Sequence, residues 1–429
     1  MRSLALQSAG EIRNLTITLM MKLVALTLVA SACVASAQDW TRFRGPNGSG
    51  VSATKTIPAQ WTEKDFRWKQ ALPGTGHSSP VLWGEKVFVT SCEERSGQFQ
   101  VLCLNANDGR QLWRKEFPLT TFRKNNLNTF ASSTPTVDAE RVYVCRTDSA
   151  QISLLALDHR GEVTWQRQLG PFKAQHGSGT SPILHDGLVV LANEQDGDSF
   201  IVALDARTGE TRWQTPREPT EAAYSTPCVF QPKTGRPELV FASGSHGLYA
   251  LASDTGKVLW DFPAAFDKRS VSSPLIAGEL ILGSCGSGGG GNYVIAVRPG
   301  IAGGTPAGRV YEVRKSAPYV PTSVCVGEWL YLWSDGGIVS RVHAASGEVK
   351  WQERVGGNYF GSPVWVDGRL FCVSRNGEVV VVAAGEKFEL LARNPLGETT
   401  HSTPAVAGGR MFIHTSGHLY CVGGNPVVE

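Results

Sequence analysis

From about residue 61 to the C-terminus the chain alternates short apolar runs with polar turns. Inside the runs apolar and polar positions alternate with the period of two expected of strands. Val87, Phe88 and Val89 precede Val101 to Leu104; Leu239, Val240 and Phe241 precede Leu248 to Leu251; Leu370, Phe371 and Cys372 precede Val379 to Val382. These pairs of runs sit inside a recurring phrase. It opens with a small hydroxyl residue before proline, at Ser79-Pro80, Thr134-Pro135, Ser181-Pro182, Thr226-Pro227, Ser273-Pro274, a degenerate Thr322-Ser323, Ser362-Pro363 and Thr403-Pro404. It closes with a glycine and an aromatic residue: Gly109 with Trp113, Gly161 with Trp165, Gly209 with Trp213, Gly256 with Trp260, Gly308 with Tyr311, Gly347 with Trp351, and a worn Gly385 with Leu390.

A period of roughly 40 to 55 residues containing four short strands predicts one blade of a β-propeller per repeat. The openings number eight and the closings seven. The missing closing strand lies at the other end of the chain, where Trp68 precedes the first Ser-Pro. The expected fold is therefore all-β: an eight-bladed β-propeller of four-stranded antiparallel blades, its ring closed by the N-terminal strand joining the C-terminal blade. Such closure leaves only short, protected strand edges. Proline suits the first residue of a strand because it has no N–H to donate to the ladder. The turn Asp205-Ala206-Arg207-Thr208-Gly209-Glu210 pairs a self-bonding Asp with a glycine able to take positive φ. The tryptophans are expected to pack on the neighbouring blade as large flat surfaces, not to carry chemistry.

Length alone would allow two or three domains in 429 residues, but the repeat runs without a linker. We divide the chain into an N-terminal extension and signal peptide (1–37), an arm (38–60), the propeller (61–424) and a tail (425–429). Lys22, the apolar run Leu23 to Ala32, and Ala35-Ser36-Ala37 before Gln38 have the form of a secretory signal with a small-x-small cleavage site. The run is too short to span a bilayer, so the protein is expected to be exported, to the periplasm or beyond the cell. Met20 or Met21 fits this signal better as a start than Met1. Lipid attachment at Cys33, after Ala30-Ser31-Ala32, is the alternative; the leucine usual at the first of those positions is absent.

The 41 Lys and Arg against 38 Asp and Glu leave a nearly neutral chain, which gives nucleic acid no footprint. The cysteines beyond the signal are Cys92, Cys103, Cys145, Cys228, Cys285, Cys325, Cys372 and Cys421. An even number in an exported chain is compatible with disulfides. Most lie inside apolar strands, as in Val101-Leu102-Cys103-Leu104, where a buried free thiol acting as a small hydrophobe is the preferred reading.

The segment Ala203 to Trp213 (ALDARTGETRW) and its counterpart Ala250 to Trp260 resemble the tryptophan-docking repeat of the pyrroloquinoline-quinone (PQQ) propeller superfamily. The resemblance covers nearly all of the chain beyond the signal. Trp40 to Gly50 (WTRFRGPNGSG) is similar to the start of many exported propellers of planctomycete-like bacteria. The superfamily includes quinoprotein alcohol dehydrogenases and non-catalytic members such as the BamB lipoprotein of the outer-membrane assembly machine. The dehydrogenases hold the quinone beside a disulfide of adjacent cysteines, with calcium and an aspartate base. This chain has no adjacent cysteine pair and no Cys-x-x-Cys-His haem attachment, and it is shorter than those enzymes. Fold membership does not confer function. The resemblance therefore implies a scaffold more readily than an oxidoreductase.

A propeller gathers its inter-blade loops around the channel, so the residues just before each opening are the candidate lining. The candidate ligand-binding residues are His77, His176, Tyr224, Arg269, Tyr319, Tyr359 and His401. The middle-strand loops add Asp148, Glu194, Asp196, Asp198, His246, Asp335 and Arg375. Asn193 to Asp198 is rich in oxygen, yet it lacks the twelve-residue calcium loop with its terminal glutamate, and a polar turn accounts for it. The long connection 117–131 is expected to cap the channel, and 298–308 to form a Pro/Gly excursion in the fifth blade. Gly286 to Gly291 lacks the Gly-Lys-Ser/Thr ending of a phosphate loop. No Gly-x-Ser-x-Gly or His-Glu-x-x-His pattern is present, so no catalytic residue and no metal ligand is assigned.

The expected function is a monomeric, exported, non-catalytic scaffold for another envelope protein, with no cofactor. The alternative is a small-ligand protein, or a degenerate quinoprotein, that uses the funnel for a quinone, a sugar or a cell-wall fragment; PQQ with calcium belongs to that alternative.

Overall fold

The structure, a computed structural model, describes residues 40–218 and 221–424. The signal sequence, Cys33 and the tail lie outside the described residues. Each opening phrase hands directly to an innermost strand: Val81–Trp83, Thr136–Val137, Ile183–His185, Cys228–Phe230, Leu275–Ala277, Val324–Val326, Val364–Val366 and Ala405–Ala407. From each of the first seven, the next three strands in sequence complete an antiparallel four-stranded order. We number the blades from 1 to 8 in that order. Blade 8 takes its outermost strand, Phe66–Ala71, from the N-terminal end, with Trp68 opposite Cys421. The ring is closed as its circularly arranged phrase implies.

The two middle strands of each blade are buried on both faces, as in Val101 to Leu104 and Val379 to Val382. Outer strands bury little besides their aromatic residue: in Val163–Gln168 only Trp165 is buried. Hydrophobic clusters straddle blade pairs, so that Tyr143, Leu154 and Trp165 of blade 2 pack with Val189, Leu191 and Val202 of blade 3. The core thus lies between blades, which is why a single blade could not bury its faces alone.

Trp68, Trp113, Trp165 and Trp213 lie on the turn glycine of the following blade, and these four and Trp351 donate their indole N–H to a carbonyl there. Trp68 reaches Ala106 O at 3.0 Å, Trp113 His159 O at 3.0 Å, Trp165 Ala206 O at 2.9 Å, Trp213 Ser253 O at 2.9 Å and Trp351 Gly385 O at 3.1 Å. Tyr311 does the same with its hydroxyl at Ala344 O. The glycine is obligatory: at Gly209, with φ of 71°, a Cβ would stand 2.6 Å from the Trp165 ring. Blade 5 corrects the sequence pairing. Its 298–308 excursion shifts the docking glycine to Gly300, whose Cβ position lies against Trp260, while Gly308 only opens the last strand. Trp260 turns its N–H instead to Glu238 of its own blade, at 2.7 Å.

The hydroxyl before each proline also has a bonding role. Backbone N–H groups of Ser79, Thr134, Thr226, Ser273, Thr322 and Ser362 donate to the hydroxyls of Thr134, Ser181, Ser273, Thr322, Ser362 and Thr403, at 2.9–3.0 Å. Each bond crosses from one blade to the next. The innermost strands converge where only a small side chain fits, and the hydroxyl turns that crowding into a circular clasp. The clasp is interrupted between Ser181 and Thr226, and between Thr403 and Ser79.

The arm does more than lead into the closing strand. Trp40 to Ser52 crosses beneath the hydroxyl ring. Trp40 O and Thr41 O accept from Leu82 and Val137 of blades 1 and 2, Asn47 exchanges two bonds with Val229 of blade 4, and Val51–Ser52 pairs in parallel with blade 7. Arg44, with no exposed surface, donates to Gly48 O, Ser49 O, Thr322 O, Ser323 O and Pro363 O. Arg42 donates to Pro227 O. Burial pulls Arg42 down to about 10 and Arg44 to about 9, so both remain charged at neutral pH. Gly50, at φ 71°, leaves room for the Arg44 guanidinium, which a Cβ would approach to 2.6 Å. One end of the channel is thereby sealed. Further along, Trp61 N donates to Asn394 Oδ1 and Asn394 Nδ2 to Ala59 O. The arm thus fills the seam between blades 7 and 8, where the register corrects the pairing of Gly385 with Leu390: Leu390 is exposed, and Ala392, opposite Val381, holds the position of the docking tryptophan.

Candidate functional site

Above the hydroxyl ring, strand alternation sorts three successive positions. The residue two before each ring hydroxyl faces the channel: His77, Ser132, Gly179, Tyr224, Val271, Val320, Phe360 and His401. The intervening residue turns into its blade, where Ser78, Ser225 and Ser272 bond the second strand. The ring residues form the base of a cavity of about 990 Å³, with Phe43 of the arm as its floor.

Of the candidate residues, His77, His176, Tyr224, Arg269, Tyr319 and His401 line this cavity. Tyr359 does not: it has no exposed surface and packs at 5.3 Å from Trp333 in the core between blades 6 and 7. Strand alternation is the cause, since Phe360, one residue later, holds the channel-facing position. Asp335 and Arg375 reach the cavity from the middle-strand loops, whereas Asp148 pairs with Arg146 at 2.9 Å away from it. Glu221, Asp267, Lys268 and Phe43 were not among the candidates. Glu221 and Lys268 sit in inter-blade connections of ordinary polarity, which carry no pattern. Phe43 lies outside the repeat altogether.

One wall is aromatic. Phe360 and His401 meet edge to face at 4.9 Å, and His401 lies 4.3 Å from His77. His401 Nδ1 faces Leu127 O at 3.0 Å while its Nε2 faces the Arg375 Nε–H at 3.3 Å. An N–H at Nδ1 and a lone pair at Nε2 satisfy both, which is the neutral imidazole. Burial holds His77 down to about 3, with His401, His414 and Lys124 acting in the same direction; burial also lowers His401 and His176. The histidines of the wall are therefore uncharged at pH 7.

The charged residues are already engaged. Arg269 bonds Glu221 and reaches Gln175 Oε1 at 3.2 Å. The Asp335 carboxylate accepts from Tyr319 N at 2.7 Å and Val320 N at 3.1 Å. Lys268 Nζ donates to Gly290 O at 2.9 Å, holding the Gly286 to Gly291 loop at the rim, and the Arg375 guanidinium stacks 4.7 Å from the Phe360 ring centre. Two buried groups lack a protein partner: the Tyr224 hydroxyl and Arg269 Nε.

The connection 117–131 spans part of the mouth. Besides the Leu127 contact with His401, Asn128 Nδ2 donates to His176 O and Ser178 O, and Asn125 Nδ2 meets His176 Nδ1 at 3.2 Å. It narrows the opening without filling the cavity. The seal is the Trp40 to Ser52 segment at the other end. Two arginines set among aromatic and glycine residues are the one sequence signal for that role.

The oxygen-rich 193–198 segment is held as a turn. Asp196 accepts from Ala222 N and Gln175 N, and Gln195 bonds Pro171 O, Asp198 O and Lys173 N. Among the described residues no three His, Cys, Asp or Glu side chains are gathered closely enough to hold a metal ion. The eight cysteines are unpaired, and seven are buried.

This architecture and funnel define a PQQ-like propeller protein. A family model described as outer membrane protein assembly factor BamB matches residues 59–237 and 229–422, and the chain belongs to that family. It is 23% identical over 268 residues to an outer membrane protein assembly factor BamB of Bordetella pertussis, covering 59% of this chain and 60% of that protein. It is 20% identical over 355 residues to a BamB of Yersinia pestis, covering 81% and 74%. Among solved structures, BamB from Moraxella catarrhalis superposes with a TM-score of 0.56 at 14% identity over 83% of this chain and 98% of that one. Quinohemoprotein alcohol dehydrogenase from Comamonas testosteroni gives 0.63 at 14% over 91% and 81%. At these identities the structural likeness concerns the fold. No helix among the described residues is long and apolar enough to cross a membrane.

Proposed function

We propose that this protein is an exported, monomeric scaffold of the cell envelope that binds another envelope protein and performs no chemistry of its own. The observation that carries this reading is the match to the outer-membrane assembly family across nearly the whole propeller. The funnel supports it: Arg269 pairs with Glu221, Asp335 and Lys268 are bonded to backbone, Arg375 is held by His401, and no nucleophile stands beside a free base. The residues present do not fit PQQ with calcium. Glu221, Asp267 and Asp335 come from three separate inter-blade or hairpin loops, Asp335 is committed to two backbone N–H groups, and the cysteines lie apart in the core.

The test is crosslinking of a tagged full-length chain in envelope fractions of its own organism, followed by mass spectrometry. Enrichment of one envelope protein, at a stoichiometry retained when the tag is moved, supports the scaffold. Recovery of no partner, together with dye-linked oxidation of an alcohol by the purified protein, overturns it. A Cys33→Ala variant that stays in the soluble periplasmic fraction like the parent supports export without an anchor; release from the membrane only in the variant assigns the lipid.

A further inference from the structure

We propose that the funnel is a binding site for a neutral, polyhydroxylated ligand of the oligosaccharide class, separate from any surface that docks a protein partner. The argument begins with charge. The cavity wall carries three cations, Lys268, Arg269 and Arg375, and three acids, Glu221, Asp267 and Asp335. The cations and two of the acids are bonded inside the protein, as described above, and Asp267 lies 3.9 Å from the Cys285 thiol. The six charges of the wall sum to zero, so an ionic ligand entering here would lose its hydration with no net field to offset it, which is unfavourable by several kcal/mol on the usual scale of desolvated ions. A neutral ligand avoids that penalty.

What the cavity does offer is hydroxyl chemistry below and aromatic surface at the side. Six ring hydroxyls accept an inter-blade N–H and are left with a proton to donate, facing the base of the cavity. Tyr224 also lines the cavity, and its hydroxyl, buried with no acceptor for its proton, is both donor and acceptor. A sugar hydroxyl presents the same dual character and can bond both. The Phe360, His401 and His77 wall is uncharged and presents ring faces, whose negative quadrupole attracts polarised C–H groups such as those on one side of a pyranose. A volume of about 990 Å³ accommodates several sugar units, at the upper end of ordinary ligand pockets.

The experiment is titration of the full exported chain with three neutral hexasaccharides, maltohexaose, cellohexaose and chitohexaose, with trigalacturonate as the anionic probe and PQQ plus calcium as the quinone probe. It is read by calorimetry and by melting temperature. We expect at least one neutral hexasaccharide to bind with a dissociation constant below 1 mM (on the order of −4 kcal/mol) and to raise the melting temperature. Its affinity should fall about tenfold in Phe360→Ala and several-fold in Tyr224→Phe, with the unliganded melting temperature of Tyr224→Phe unchanged. Binding by none of the three, tighter binding of trigalacturonate or PQQ, or an affinity indifferent to both substitutions would each overturn the assignment. Because the readout needs no protein partner, its outcome is independent of the crosslinking test.

Discussion

The two ends of the channel are built on opposite principles. At the sealed end, one segment from Trp40 to Ser52 touches blades 1, 2, 4, 6 and 7 and buries two guanidiniums against backbone carbonyls, so one residue serves many blades. At the open end each blade contributes its own residue, and these differ from blade to blade. A shared part concentrates stability in few positions, whereas a distributed lining lets each position vary at little expense to the ring. Structure and recognition are thus separated along one axis.

The largest effect should come from the shared part. Arg44→Ala would leave five carbonyls without their donor in a dry site, and we expect a loss of about 3–5 kcal/mol in urea unfolding. A loss below 1 kcal/mol would mean that the seal is not holding the ring. Next is the docking tryptophan: Trp165→Ala should cost about 3–4 kcal/mol, and Ala392→Gly, at the equivalent position of the seam filled by the arm, under about 1.5 kcal/mol. Equal losses would remove the distinction between docked and arm-filled seams.

The third prediction concerns the seam between blades 3 and 4, one of the two where the hydroxyl clasp is interrupted. There Glu194 is buried with Arg217 Nε at 3.9 Å and His246 Nε2 at 3.8 Å, and neither carboxylate oxygen has a hydrogen bond. Burial raises its pKa from 4.5 to about 7. A carboxyl with a raised folded pKa binds more protons folded than unfolded between those values, so its effect on stability becomes less favourable as pH rises from about 4.5 to 7. His77, lowered from 6.5 to about 3, acts with the opposite sign over pH 3 to 6.5. The difference between parent and Glu194→Gln isolates the carboxyl: the variant should gain up to about 3 kcal/mol relative to the parent between pH 4.5 and 7.5. Parallel stability curves for the two would refute the buried-acid seam. The smallest effect belongs to the open end, where Tyr224→Phe should change stability by less than about 0.5 kcal/mol.

Much of the fold could be read from the chain because propeller geometry repeats. Proline, glycine and tryptophan recur in register, and the misplaced Trp68 strand announced the closure before any coordinates. Where the register is disturbed, reading falters: the 298–308 insertion hid Gly300 behind Gly308. The site was legible as positions but not as bonds. Six of the seven candidates line the funnel; Tyr359 fails because neighbouring residues on a strand face opposite ways, and a one-residue offset is invisible without the register. The pairing of Arg269 with Glu221, and the neutrality of the histidine wall, depend on contacts between residues of different blades.

The sequence by itself determined the ring, the number of its blades and which residues build it, since these follow from local periodicity repeated eight times. Only the tertiary structure decided what the ring encloses. The hydroxyls before each proline became a clasp, the WTRFRGPNGSG segment became a seal, and the charged groups of the funnel cancelled. Each depends on distances across the channel between residues far apart in the chain, and no local pattern encodes those.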